Sequence, residues 1–164
     1  MGQQQLLLLV LGIVIVGLAV VVGIQAFSEN QTKANADAMI NDGVRIASDA
    51  QAWALKPAQF GGGAGDFYKG AANNVAVTLS DLGYEVTAQG SENANVYKNL
   101  NAEYTIAVNA PDELLISGES YTAGDSSRVQ NGISVRVCGF EYDDILTTQG
   151  VDGSNDPIEA DACP

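Results

Sequence analysis

The residues best suited to chemistry lie near the C-terminus, in a stretch rich in side-chain oxygens. Its carboxylates and amide are Asp152, Asn155, Asp156, Glu159 and Asp161. Calcium prefers such ligands, but an EF-hand loop needs a glycine at its turn and a final bidentate glutamate. A proline and a cysteine stand at those places. The stretch is therefore interpreted first as a solvated acidic loop, and calcium is the one cofactor it could bind.

Two cysteines, Cys138 and Cys163, flank this stretch. In an exported domain they are predicted to form a disulfide that holds the last quarter of the chain to the body. Closing such a loop stabilises a fold by roughly 3 kcal/mol in the chain-entropy model. A metal site built on cysteine is not expected, because the chain has no histidine and no second cysteine pair.

Catalysis is not expected from this composition. The absence of histidine removes the usual pairs of nucleophile and base, and the acidic residues form no motif that marks a catalytic carboxylate pair. The glycine-rich run from Gly61 to Gly65 lacks the Lys-Ser/Thr pair and the preceding strand of a phosphate-binding loop. The run is predicted to be a flexible connection, and the chain is predicted not to be an enzyme.

One modification motif is present. Asn30-Gln31-Thr32 fits the glycosylation sequon. Such triplets are common by chance, so an unmodified surface residue is the alternative to a glycosylated Asn30.

The charge balance excludes one class of partner. The chain has 7 basic and 20 acidic side chains, giving a formal net charge of −13. Such a surface repels the phosphates of nucleic acids and anionic lipids. Direct nucleic-acid binding is therefore not expected, and the acidity would keep a densely packed surface soluble.

An apolar segment occupies the start of the chain. Leu6 to Ile24 consists only of Leu, Val, Ile, Ala and Gly, and the first ionisable side chain is Glu29. A helix of this length can cross about 30 Å of hydrocarbon. It could be a cleaved signal peptide, a membrane anchor or a helix that assembles with copies of itself. The residues before Leu6 include no basic side chain, which disfavours the signal peptide.

The helical pattern continues beyond the apolar segment, with no proline until Pro57. Apolar residues from Met39 to Ala54 fall on one half of the helix and polar residues on the other. The domains are therefore an apolar assembly or transmembrane helix over 1–27, an amphipathic continuation over 28–56, and a β-rich head over 57–164. The apolar part contains three glycines, Gly12, Gly17 and Gly23. Two interpretations are open for these glycines: close helix packing or local unwinding of the helix.

The head is predicted to contain antiparallel strands. The segments 104–108 and 113–117 alternate around a proline turn and predict a hairpin, and 133–138 predicts the next strand. Short strands over 75–79 and 84–87 are weaker expectations, and a helical turn is an equal alternative for the first. The side chains of Ile133, Val135 and Val137 should face the amphipathic helix. The predicted fold class is α+β, with a long N-terminal helix, apolar then amphipathic, packed on an antiparallel sheet that ends in a C-terminal disulfide loop.

Together, the uncharged apolar start, the long helix, the sheet and the cysteine pair resemble the type IV pilin and pseudopilin family. The resemblance implies that a prepilin peptidase has removed a leader, which leaves Met1 as the mature terminus and a candidate for N-methylation. It also implies an inner-membrane anchor before assembly, dedicated assembly machinery, and then an extracellular filament. The residues expected to make the subunit contacts are Met1, Gln5, Leu6, Leu9, Ile13, Val16, Val20 and Ile24.

Gln5 departs from the family pattern, which usually has a glutamate that engages a neighbour's terminal amine. An amide can accept a hydrogen bond from an ammonium group but supplies no charge. Three hypotheses remain: a structural subunit of a filament; a minor pseudopilin of a type II secretion-like system; and a single-pass membrane-anchored surface binding domain. For a filament, the sequence does not distinguish adhesion, motility, DNA uptake and secretion.

Overall fold

The computed structural model describes residues 2–69, 75–86, 95–122, 125–141, 143–151 and 156–163, with only the backbone described at 122 and 125–128. Helix α1 spans Gly2–Leu55 and is followed by a 3-10 turn, Ala58–Phe60. The strands are β1 (Tyr68–Lys69), β2 (Val75–Ala76), β3 (Val96–Lys98), β4 (Glu103–Ala110), β5 (Glu113–Thr122), β6 (Asp125–Val137) and β7 (Ile145–Gln149). Two compact units are distinguished, Met1–Ala34 and Asn35–Pro164, and each is described by itself. The predicted α+β class is confirmed.

The main sheet of the second unit has the order β3-β4-β5-β6-β7, and every neighbouring pair is antiparallel. The turn between β4 and β5 contains Pro111 and Asp112, as the hairpin pattern predicts. Proline has no N–H to offer the ladder and presets the φ of a turn, which explains why the strands reverse there. Within the described residues β1 and β2 form a separate two-stranded ribbon.

One face of the sheet packs against the second part of α1. The helix buries residues along a single face, namely Ala36, Met39, Gly43, Ile46, Ala47, Ala50, Trp53 and Ala54. On the sheet, β6 contributes Ile133, Val135 and Val137, which are fully buried as predicted. Alternate residues of a strand point to the same face, so this stretch of β6 presents an unbroken apolar row to the helix.

Two glycines make room for neighbouring side chains, Gly43 between the helix and the sheet and Gly118 within the sheet. A Cβ atom at Gly43 of α1 would lie 2.9 Å from Ile133 Cδ1 and from Val135 Cγ2. A Cβ at Gly118 of β5 would lie 2.8 Å from Ile133 Cγ1 and 2.9 Å from Tyr104 Cε1. Gly43, the one helix breaker in the amphipathic part, therefore occupies the place where the sheet leaves no room for a side chain.

The glycine run after α1 was predicted to be a flexible connection, but in the structure it is hydrogen-bonded to the end of the helix. The N–H groups of Gly63, Ala64 and Gly65 donate to the carbonyls of Trp53, Lys56 and Ala54 at 3.3, 3.0 and 2.7 Å. Helix ends leave their last carbonyls without intrahelical partners. The run satisfies these carbonyls and thereby ends α1, so it is an ordered cap.

The weaker strand expectations are only partly met. Val75 and Ala76 form a strand, but 79–83 is a turn in which the N–H groups of Asp81 and Leu82 donate to the Thr78 carbonyl. Val86 makes a single bridge to Tyr97, and residue 87 lies outside the described residues. The short apolar run from Val75 is too short for its periodicity to distinguish a strand from a turn.

Candidate assembly surface

The apolar segment of α1 is helical throughout and has its side chains exposed. Its fifteen Leu, Ile and Val residues between Leu6 and Ile24 are 51–70% exposed. The expected contact residues within it are Leu6, Leu9, Ile13, Val16, Val20 and Ile24. Their spacings of three and four place them along one stripe of the helix. The segment is long and apolar enough to cross a membrane, a test that signal sequences also pass.

The polar end of this surface is only partly described. Gln5 lies in α1, exposed and beside Leu6, whereas Met1 lies outside the described residues. The contact between Gln5 and a terminal amine and the methylation of Met1 therefore stay predictions. Asn30 is exposed on α1, which is compatible with glycosylation but does not test it.

The three glycines of the segment do not interrupt α1. A Cβ atom at Gly12, Gly17 or Gly23 would meet nothing within 4 Å. In an isolated helix each glycine costs about 1 kcal/mol relative to alanine. Among the described residues no contact at these glycines offsets this cost, so close approach of another helix and local unwinding both stay predictions for the assembled state.

The predicted disulfide is present and fastens the C-terminal segment 156–163 to the sheet. Cys138 and Cys163 are bonded, with their Cα atoms 5.4 Å apart. The hydroxyl of Ser134 accepts a hydrogen bond from the Ala160 N–H at 3.0 Å. The segment therefore covers the face of β6 that points away from α1.

A nearly buried arginine adds to this attachment. Arg136 is 8% exposed, and its Nε donates to the Ala160 carbonyl at 3.1 Å. Its other nitrogens pair with Glu113 and, at 3.3 Å, with Glu159. A buried cation without partners would be strongly unfavourable, so the guanidinium requires the segment to stay in place. Sequence periodicity assigns Arg136 to the polar face but cannot show that this face is covered.

The expected calcium ligands are only partly visible. Asp152 and Asn155 lie outside the described residues. Of the others, Glu159 pairs with Arg136, while Asp156 and Asp161 lie in the same C-terminal segment. Among the described residues no group of three acidic or other metal-ligating side chains comes together. Calcium binding therefore stays a prediction.

Asp42 forms a polar cluster that the helical pattern misses. The pattern puts this residue on the solvent face, but its Oδ2 accepts hydrogen bonds from Asn99 Nδ2 at 2.8 Å, Asn101 Nδ2 at 2.9 Å and the Tyr104 hydroxyl at 3.2 Å. Burial, the negative charge of Asp42 and this hydrogen bond raise the pKa of the Tyr104 hydroxyl above its usual range. The cluster ties α1 to the turn between β3 and β4.

Asn35 makes a second tie to the same turn. Its Nδ2 donates to the Asn101 carbonyl at 3.1 Å, and its Oδ1 accepts from Asn131 Nδ2 of β6 at 3.0 Å. One side chain thus connects the helix to two parts of the sheet. Single-residue amide partners of this kind leave no periodic signal in a sequence.

A third cluster lies farther along the helix. The Tyr84 hydroxyl donates to Asp49 at 2.5 Å, and the Arg45 guanidinium lies 5.8 Å from the centroid of the Tyr84 ring. Burial, followed by the hydrogen bond and charge of Asp49, raises the pKa of Tyr84 above its usual range. These contacts pair the polar face of α1 with the head.

Comparisons with known proteins leave the family of the chain open. No protein-family model, curated protein or solved structure matched it. Any functional argument therefore rests on the structure of the chain itself, which has an exposed apolar helix in one unit and a helix packed on a sheet in the other.

Proposed function

We propose that the chain is a structural subunit of an extracellular, type IV pilus-like filament, assembled through the apolar segment. The observation that carries this proposal is the exposure of every large side chain from Leu6 to Ile24 on a helix that continues into the head. Fully burying one such side chain is worth about 1.5–3 kcal/mol. Fifteen half-exposed ones offer on the order of 15 kcal/mol before the costs of association are subtracted.

Copies of the same helix can supply the missing cover. When the contact surface differs on the two partners and the symmetry does not close, such contacts propagate into a filament. Before assembly the hydrocarbon of the inner membrane would cover the same side chains. The unit Asn35–Pro164, which carries all ionisable side chains except Glu29 and Lys33, would then lie on the outside of the filament, where its net charge of −13 keeps it hydrated. The proposal includes a prepilin peptidase that processes the N-terminus and machinery that assembles the filament as partners of the chain.

The same exposed segment also favours a second function, a single-pass anchor for a surface binding domain. Its length suffices to cross a bilayer. An anchor, however, needs only hydrocarbon around it, and it does not require the helix to run on into the core of the head. Gln5, which lacks the charge of the usual family glutamate, leaves a minor pseudopilin as a variant of the filament proposal.

Electron microscopy of material sheared from cells tests the filament proposal directly. We expect filaments composed of this chain, and mass spectrometry of their N-terminal peptide should show a processed, methylated terminus. Abundant homopolymer would identify a structural subunit, and a few copies among other subunits would identify a minor pseudopilin. Detergent-soluble monomers without filaments would refute the proposal in favour of the anchor.

A further inference from the structure

Leu100, in the turn between β3 and β4, is the most exposed large apolar side chain of the described residues. Its relative exposure is 103%, whereas the other strongly exposed Leu, Ile, Val and Phe side chains of the described head are 43–72% exposed. A scattered apolar side chain on a surface needs no explanation. The turn that holds Leu100, however, is unusually well fixed.

Six hydrogen bonds fix this turn, one of them from Asn35 Nδ2 to the Asn101 carbonyl at 3.1 Å. The Asn99 Oδ1 accepts from the N–H groups of Asn101 and Ala102 at 2.8 and 2.9 Å, and the Asn99 N–H donates to the Ala102 carbonyl at 3.0 Å. The side chains of Asn99 and Asn101 both donate to Asp42 of α1. An anchor held in place before binding loses less conformational entropy when a partner docks.

The surroundings of Leu100 give it the form of a docking point. A depression of about 200 Å³ lies beside it, lined among others by Lys98, Glu103, Glu119 and Tyr121. Lys98 pairs with Glu103, and the Tyr121 hydroxyl donates to Glu119 at 2.7 Å. The rim is therefore polar and its hydrogen bonds are made, while Leu100 is the exposed large apolar side chain among the residues that line the depression.

We propose that Leu100 docks onto the apolar segment, Leu6 to Ile24, of a second copy of this chain. This inference rests on the proposed function, since it names the surface of the head that meets a neighbour's assembly helix. The segment presents fifteen large apolar side chains that no described residue covers. Leu100 and the segment are thus complementary surfaces of the same molecule.

Charge favours this occupant over two others. The unit Asn35–Pro164 carries all of the net charge of −13, so a contact between two heads would bring together surfaces of like net charge, and an anionic lipid surface would be repelled in the same way. The segment has no ionisable side chain up to Glu29. It is the part of a second copy that an acidic surface can approach without electrostatic repulsion.

Photo-crosslinking in assembled filaments tests the contact. The photoreactive residue p-benzoyl-phenylalanine replaces Leu100, with replacement of Phe60, which is 72% exposed, as the matched control. Filaments are grown from mixed unlabelled and ¹⁵N-labelled chains and irradiated. We expect a dimer band from the Leu100 variant, in which the crosslinked peptide is the N-terminal tryptic peptide ending at Lys33 and carries the other chain's isotope. The control should not crosslink to this peptide.

Assembly yield gives a second measurement that does not depend on the photoreactive side chain. We expect Leu100→Ser to lower the yield of sheared filaments several-fold and Phe60→Ser to leave it within twofold, with unchanged unfolding of both heads. Crosslinks from residue 100 only to head peptides or to lipid, or an unchanged yield for Leu100→Ser, would overturn the docking contact while filaments still form. If the unsubstituted chain forms no filaments, the proposed function itself fails, and the docking contact falls with it.

Discussion

Replacing Asp42 with alanine should destabilise the head far more than its place on the outer helix face suggests. The substitution removes the acceptor of three hydrogen bonds. Tyr104 is 0% exposed, so its hydroxyl would keep no water in exchange, and leaving such a group unsatisfied costs about 1–3 kcal/mol. Asn99 and Asn101 are half-buried, and water can replace part of their lost bonds. The expected loss in free energy of unfolding is therefore on the order of 2–4 kcal/mol.

Urea unfolding followed by tryptophan fluorescence can measure this loss. Trp53 is the single tryptophan of the chain, and it is 8% exposed in the helix–sheet core. Its signal therefore reports the head while mild detergent keeps the apolar segment soluble. The midpoint should fall with an unchanged slope, because the surface exposed on unfolding stays the same. Asp49→Ala serves as the control: Asp49 is exposed, and its loss should cost less than about 1 kcal/mol.

A double-mutant cycle separates the orphaned hydroxyl from other causes. Tyr104→Phe removes the hydroxyl. Alone, it should lower the free energy of unfolding by about 1 kcal/mol. In the Asp42→Ala background it should raise the free energy of unfolding, because it removes the unsatisfied group. The double variant should thus be more stable than Asp42→Ala. If the two losses simply add, or if Asp42→Ala unfolds at the same midpoint as Asp49→Ala, the polar cluster does not tie α1 to the turn as described.

Four further expectations concern other parts of the chain. Val14→Asp should abolish filament assembly and leave the unfolding midpoint of the head unchanged, because an unpaired carboxylate would be buried among neighbouring helices; electron microscopy and urea unfolding check both halves. Replacing Cys138 and Cys163 with serine should cost roughly 3 kcal/mol in the same assay, and equal midpoints would contradict this. Gly118→Val should cost about 1–3 kcal/mol through overpacking, whereas an unchanged midpoint would mean that the sheet relaxes. Because the folded-state pKa of Tyr84 is raised above 10.0, stability is fully present below pH 10 and falls as pH rises beyond it; Tyr84→Phe should reduce the drop between pH 9 and pH 11.

The sequence predicted the long-range pattern of the fold well and its local polar contacts poorly. The apolar segment, the amphipathic part of α1, the β4–β5 hairpin and the inward row on β6 all follow from periodicity, because side-chain direction repeats every 3.6 residues in a helix and every two in a strand. Strands β3 and β7 were missed, since short segments with mixed polarity have little periodic signal. The glycine run was wrongly predicted to be flexible. Its N–H groups donate to carbonyls at the end of α1, and composition alone does not reveal such hydrogen bonds.

By itself, the sequence determined that the chain needs apolar cover for Leu6 to Ile24 and that a helix packs on a sheet elsewhere. These properties depend on hydrophobic burial, which is set by residue type and spacing. Only the tertiary structure decided that Asp42 is half-buried among hydrogen-bond donors, that Arg136 is nearly enclosed, and that Leu100 stands uncovered on a fixed turn. The polar contacts join residues far apart in the chain through single hydrogen bonds. Each bond needs a specific distance and angle, which only the folded backbone supplies.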